Sequence, residues 1–103
     1  MKRLEYLEFA EAHRKSPFRL IDVREDDEFR QSHVRGAEWF PLSRIRRGDL
    51  PERTTDRVAL ICRSGGRSAM VAQILEGAGW AECVNVEGGT LAAIALAPGD
   101  VET

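Results

Sequence analysis

Cys62-Arg63-Ser64-Gly65-Gly66-Arg67 sets a thiol, two glycines and two guanidinium groups within six residues. This composition suits thiolate chemistry. A free cysteine titrates near about 8.5, so only about 3% is ionised at pH 7. Making it mostly thiolate takes roughly 2.7 kcal/mol of preferential stabilisation of the anion. Adjacent glycines let the backbone curl so that several amides converge on one point, a nest for an anion. A helix beginning at Ser68 would add ~0.3–2 kcal/mol from its amino end. Arg67, with Arg63 beside it, is expected to close the cradle with positive charge. The same cradle would hold an anionic sulfur donor and a persulfide anion.

The elements needed to position this loop are readable around it. Arg57-Val58-Ala59-Leu60-Ile61 is an apolar, β-branched run and predicts a buried strand ending at Cys62. Val71, Ile74, Leu75 and Ala78 fall at i, i+3, i+4 and i+7, predicting one apolar face of a helix that Gly79 stops. Phe18 to Val23, Glu38 to Phe40 and Glu82 to Val86 predict further strands. Helices are expected over Leu4 to His13, Arg24 to Gln31 and Thr90 to Ala97, with a turn or two at Leu42 to Arg47 and a polar loop from Gly48 to Asp56. Short strands alternating with helices imply an α/β fold with a mainly parallel sheet covered on both faces. In such sheets ligands sit beyond the carboxyl ends of the strands, where Cys62 falls.

Composition narrows the function. The 103 residues suit one domain, 1–103, and 43% of them are apolar, enough for a continuous core. Net charge is −2, so no basic excess points to nucleic acid or an anionic membrane as a partner. No uncharged stretch approaches the ~20 residues of a spanning helix. The amino terminus lacks the apolar core of a secretory signal, and a cytoplasmic location is expected. Two cysteines without CxxC spacing suggest neither a disulfide framework nor a metal site.

Four motifs in order make the chain resemble single-domain rhodaneses, a family of sulfurtransferases. They are Leu20-Ile21-Asp22-Val23-Arg24-Glu25, then Glu28-Phe29 with His33-Val34-Arg35-Gly36-Ala37, then Cys62 to Ser68, then Val86-Glu87-Gly88-Gly89. The resemblance implies a three-layer sandwich with about five short strands. It implies that Cys62 carries sulfur as a covalent persulfide and that no cofactor or metal is needed. Arg63, Ser64, Gly65, Gly66 and Arg67 would line the substrate pocket, with Ser68 at its edge. The expected reaction moves sulfur from an anionic donor such as thiosulfate to cyanide, a thiol or a protein thiol. Ser32 departs from the family pattern, where glycine is usual, and so does Ala93, where tryptophan is usual, and the tail is short.

Other readings compete. Cysteine phosphatases and arsenate reductases also use a Cys…Arg loop, but with five intervening residues; here four lie between Cys62 and Arg67. The shorter cup suits one sulfur better than a tetrahedral phosphate. No general acid for an oxygen leaving group stands out. A binding module that has lost catalysis would not need the cysteine. Cys83 reads as a small buried hydrophobe or as a resolving thiol for Cys62. Asp22 tunes the pocket or braces its loop, Arg24 and Glu28 are expected to pair, and His33 reads as structural. Trp39 and Trp80 read as core or rim. Arg44, Arg46, Arg47, Arg53 and Arg57 form a solvated face or a docking patch.

Overall fold

The computed structural model describes residues 1–103. Its centre is β5 (Val58–Ile61), whose four residues are all buried, as a continuous apolar run demands. β2 (Arg19–Asp22) and β6 (Val84–Glu87) flank it, and β4 (Glu38–Trp39) and β1 (Lys2–Glu5) complete a five-stranded sheet in the order β1-β6-β5-β2-β4. Every pairing in it is parallel. β3 (His33–Val34) and β7 (Val101–Glu102) form a separate antiparallel pair.

Strand alternation divides the core in two. Val58, Leu60 and Cys62 point to one face, where they meet Val71, Ala72 and Leu75 of α4 (Gly66–Gly77) and Leu42 and Ile45 of α3 (Leu42–Arg46). Ala59 and Ile61 point to the other, against Tyr6, Phe9 and Ala10 of α1 (Tyr6–Lys15) and Ala93 of α5 (Gly89–Leu96). The layers are therefore helix, sheet, helix. α2 (Asp26–Gln31) joins β2 to the small sheet, with a capping box between Glu25 and Glu28.

Two expectations change. Lys2–Glu5 is an edge strand rather than the approach to α1, and it pairs with β6 from Lys2↔Val84 to Glu5↔Glu87. The buried face of α4 is Ser68, Val71, Ala72 and Leu75, while Ile74 and Ala78 are exposed. The spacing is the expected one, set one turn earlier, because the helix begins at Gly66 and Ser68 faces inward. Gly79 does take positive φ (+96°) just past the helix end.

Candidate active site

Cys62 follows the last residue of β5 and is only 1% exposed. Gly65, at φ +113°, reverses the chain and caps α4 in a left-handed conformation that disfavours any side chain. The turn directs the Gly65 N–H onto Cys62 Sγ at 3.1 Å. One turn into α4, the Ser68 hydroxyl lies 3.3 Å from the same sulfur and 3.2 Å from the Gly65 carbonyl. Its single proton serves one acceptor at a time. The Gly65 carbonyl also receives Ala69 N–H and Asn85 Nδ2, each at 3.2 Å. When the thiol ionises, Ser68 therefore turns to the sulfur without leaving a buried carbonyl unpaired.

These contacts set the direction of the thiol's pKa. Burial pushes it up. The Ser68 hydroxyl, and then the backbone amides of Ser68, Gly65 and Ser64, pull it down further, and the net is below an ordinary thiol. Ser68→Ala is thus expected to raise the Cys62 pKa and to slow its alkylation by iodoacetamide at pH 7 by about tenfold. A pH–rate profile for alkylation that coincides with that of the wild type contradicts the assignment.

The arginines behave differently from expectation. Arg67 makes no hydrogen bond to the sulfur, and its charge acts on Cys62 only through space. Its two Nη atoms donate to the two carboxylate oxygens of Glu28, at 2.7 and 2.8 Å. Arg63 is exposed and faces outward beside Leu91 and Ile94. The Ser68 hydroxyl and the folded loop amides, rather than a direct arginine contact, are the main causes that lower the Cys62 pKa. Arg24 does not pair with the Glu28 side chain either. It forms a buried ion pair with Asp22, Nη2 to Oδ2 at 2.8 Å, and donates to the carbonyls of Glu28 and Ser32. Asp22 accordingly braces the start of α2 rather than facing the thiol.

The Arg67 guanidinium holds the Glu28 carboxyl down to about 2. This has a sign for stability. As pH falls below the usual 4.5, the unfolded chain takes up the Glu28 proton while the folded chain does not. Stability is expected to decline from about pH 4.5 toward pH 2, and Glu28→Gln to flatten that limb of a urea-midpoint-versus-pH curve. Parallel curves for the two proteins count against it.

Residues not singled out in the sequence hold the loop from behind. Thr90 donates its N–H (2.9 Å) and hydroxyl (3.0 Å) to the Cys62 carbonyl, and Leu91 N–H reaches the Arg63 carbonyl at 3.1 Å. The amino end of α5 thus clamps the cysteine's own backbone. Asn85 is the polar residue inside the apolar strand Val84–Glu87, and that was its signal.

Other candidates lie elsewhere. Cys83 is buried, its thiol is pushed up to about 11 by that burial, and it belongs to the opposite end of the sheet. The register pairs Ala59 with Val84, so Cys62 lies roughly 13 Å further along than Cys83. That span excludes a disulfide in this fold. His33 stacks on Phe29 and bonds the Phe29 carbonyl and Glu102, joining the small sheet to α2. Trp80 is core; Trp39 is partly exposed and donates to the Arg24 carbonyl. Arg53 and Arg57 line a cavity of about 380 Å³ with Trp80 at the amino ends of the strands, whereas Arg44 stacks on Phe40 near their carboxyl ends, so these arginines make no single patch. No three His, Cys, Asp or Glu side chains gather in a way that could hold a metal ion. No helix is long and apolar enough to cross a membrane.

The sequence model described as Rhodanese-like domain matches residues 6–95. The chain belongs to the rhodanese-like family. This rhodanese-like protein is 40% identical over 89 residues to "Uncharacterized protein YqhL" of Bacillus subtilis, covering 86% of this chain and 69% of that one. It is 44% identical over 78 residues to "Putative sulfurtransferase YtwF" of the same organism, covering 71% and 70%. It spans less of other relatives, 41% of a Synechocystis protein for example. Among solved structures, the rhodanese-like domain protein of Staphylococcus aureus superposes with a TM-score of 0.78 at 31% identity, over 89% of this chain and 90% of that one. The departures from the family pattern are accommodated. Ser32 ends α2 at φ −169°, extended backbone open to any residue. Ala93 is fully buried where α5 meets the sheet, alongside Ala92 and Ala97.

Proposed function

We propose that the protein is a sulfurtransferase that carries a sulfane sulfur on Cys62 as a persulfide. It takes the sulfur from a small donor of the thiosulfate or persulfide class and gives it to a thiophilic acceptor such as cyanide or a thiol. The observation that carries this reading is the sulfur of Cys62 receiving an amide and a hydroxyl in a closed four-residue turn at the carboxyl end of β5. That turn has donors for one anionic sulfur atom. Attack by the thiolate on the outer sulfur of a donor expels a sulfur anion, which leaves without a general acid. Membership of the family and the name of the B. subtilis relative support the same chemistry. The proposed chemistry needs Cys62 as a free thiol, which suits a cytoplasmic setting that keeps thiols reduced.

A protein thiol as the acceptor has its own support. An open groove of about 620 Å³ borders Arg63 and is walled by Leu91, Ile94, Pro98 and Val101, giving a carrier room to dock beside the loop. The test of the main reading is release of thiocyanate when protein, cyanide and sulfur donor are combined. Turnover that needs Cys62 supports it. Cys62-dependent hydrolysis of an aryl phosphate, without turnover of any sulfur donor, replaces it with phosphatase chemistry.

A further inference from the structure

The Ser68 hydroxyl has one proton and two acceptors, Cys62 Sγ at 3.3 Å and the Gly65 carbonyl at 3.2 Å. Which of them takes the proton depends on what else the carbonyl receives. A carbonyl oxygen has two lone pairs. Ala69 N–H and Asn85 Nδ2, each at 3.2 Å, fill both. Asn85 is fully buried in β6, in register with Leu60 of β5 and Arg3 of β1. Its amide has one workable orientation. Nδ2 gives its second hydrogen to Glu87 Oε2, and Arg3 holds the other oxygen of that carboxylate at 3.0 Å. A flipped amide would set Oδ1 against a carbonyl and a carboxylate at once. In the orientation observed, Oδ1 has no protein partner. A buried amide left half satisfied costs stability, and an apolar side chain would avoid that cost. The other half of the amide, on the loop, accounts for asparagine at this position.

We propose that Asn85 is a positioning residue for Cys62: by filling the Gly65 carbonyl, it leaves the Ser68 hydroxyl to the sulfur. The inference rests on the sulfur-carrier reading and deepens it, because Cys62 Sγ holds negative charge in both halves of that reaction. In loading, the Cys62 thiolate attacks the outer sulfur of the donor, a new S–S bond forms, and the donor's own bond to that sulfur breaks with its electron pair leaving on the donor. In transfer, an acceptor thiolate takes the outer sulfur, and the S–S bond breaks with its electron pair returning to Cys62 Sγ. The Ser68 hydroxyl donates to Sγ before the first step and after the second. The amides of Ser64, Gly65 and Ser68 also act on the sulfur, and they belong to the loop itself. The charged groups about the loop are Arg67 paired with Glu28, Asp22 paired with Arg24, Glu87 paired with Arg3, and the exposed Arg63. Asn85→Leu replaces none of them.

The test is the pH dependence of Cys62 alkylation by iodoacetamide, read by peptide mass, in the full chain as wild type, Asn85→Leu, Ser68→Ala and the double variant. Asn85→Leu is expected to slow alkylation at pH 7 by about fivefold while the plateau at high pH, where the thiolate is complete, holds within about twofold. In the Ser68→Ala background the same change is expected to slow it by less than about 1.5-fold, because the hydroxyl it acts through is gone. Equal slowing in both backgrounds assigns the effect to Glu87 or to loop geometry and overturns the inference. So does an unchanged rate in Asn85→Leu, or a fallen plateau in place of a moved midpoint, the mark of a merely structural role. If the leucine variant does not fold, Asn85→Val, smaller and suited to a strand, decides by the same comparison. Sulfur loading from thiosulfate in the same proteins separates this inference from the reading beneath it. The predicted alkylation pattern without loading of the wild type counts against the carrier reading and leaves the role of Asn85 standing. Loading of the wild type, with alkylation alike in wild type and Asn85→Leu, does the reverse.

Discussion

Cys62→Ser is expected to abolish sulfur transfer, lowering kcat/KM by at least about a thousandfold, with little change in the folded structure. The argument is chemical rather than steric. A serine hydroxyl fits the same turn and accepts the same Gly65 N–H. It is not ionised at neutral pH, and oxygen cannot hold the transferred sulfur in the low-energy S–S linkage that makes the intermediate useful. Nothing packed against Cys62 needs a sulfur for its own sake: Val71, Ala72 and Leu75 touch its face of the sheet as hydrocarbon. Far-ultraviolet circular dichroism and thermal unfolding should therefore match the wild type closely while turnover of any sulfur donor disappears. Residual activity within tenfold of wild type would move the chemistry to another residue.

Gly89→Ala is the second large effect, and it acts on the loop from behind. Gly89 opens α5 at φ +58°, and a β-carbon there would lie 2.5 Å from the Cys62 carbonyl oxygen and 2.6 Å from that of Arg63. Both atoms are backbone and cannot swing aside. Both are also the acceptors of Thr90 and Leu91, so relief of the clash must lengthen the bonds that clamp the loop. Strain and weakened hydrogen bonds together are expected to cost about 2–4 kcal/mol, lowering Tm by at least about 10 °C. Whatever folds should also lose activity, by about tenfold or more, because the displaced carbonyl belongs to Cys62 itself. Gly77→Ala is the contrast. A β-carbon there meets nothing within 4 Å, and the residue is helical, so stability should hold or rise slightly. Equal melting temperatures for wild type and Gly89→Ala would show that α5 yields easily and that the clamp is loose.

The sequence showed the layered fold and the cysteine turn for one reason: both depend on local pattern. Val58–Ile61 is apolar throughout because it is covered on both faces, and Cys62 to Arg67 carries its own turn chemistry. What it hid depends on partners distant in sequence. Lys2–Glu5 has a single apolar residue, Leu4, and is a strand only because β6 offers it an open edge. Ser68 looked like a helix cap because it is polar, yet its hydroxyl is satisfied inside by Cys62 Sγ and the Gly65 carbonyl, which shifts the buried face of α4 by a turn. Arg67 was read as a charge on the sulfur because the two are close along the chain. Its true partner is Glu28, 39 residues away. The direction of the Cys62 pKa came out as expected and the loop amides contribute as expected, but the Ser68 hydroxyl takes the leading place that arginine charge was expected to share. Gly89 entered only as the end of the Val86-Glu87-Gly88-Gly89 motif; its close approach to the Cys62 carbonyl exists only once α5 has folded back.

The central claim is that Cys62 carries sulfur, and the intact mass of the full chain tests it most directly. Wild-type protein and Cys62→Ser are each incubated with thiosulfate and, separately, with ethyl hydropersulfide, then freed of donor and weighed. The account predicts one added sulfur atom on the wild type with at least one donor, removed by cyanide or dithiothreitol, and none on the variant, with Cys83 unmodified in both. An unmodified wild type with both donors, or a sulfur atom that persists in Cys62→Ser, would contradict it.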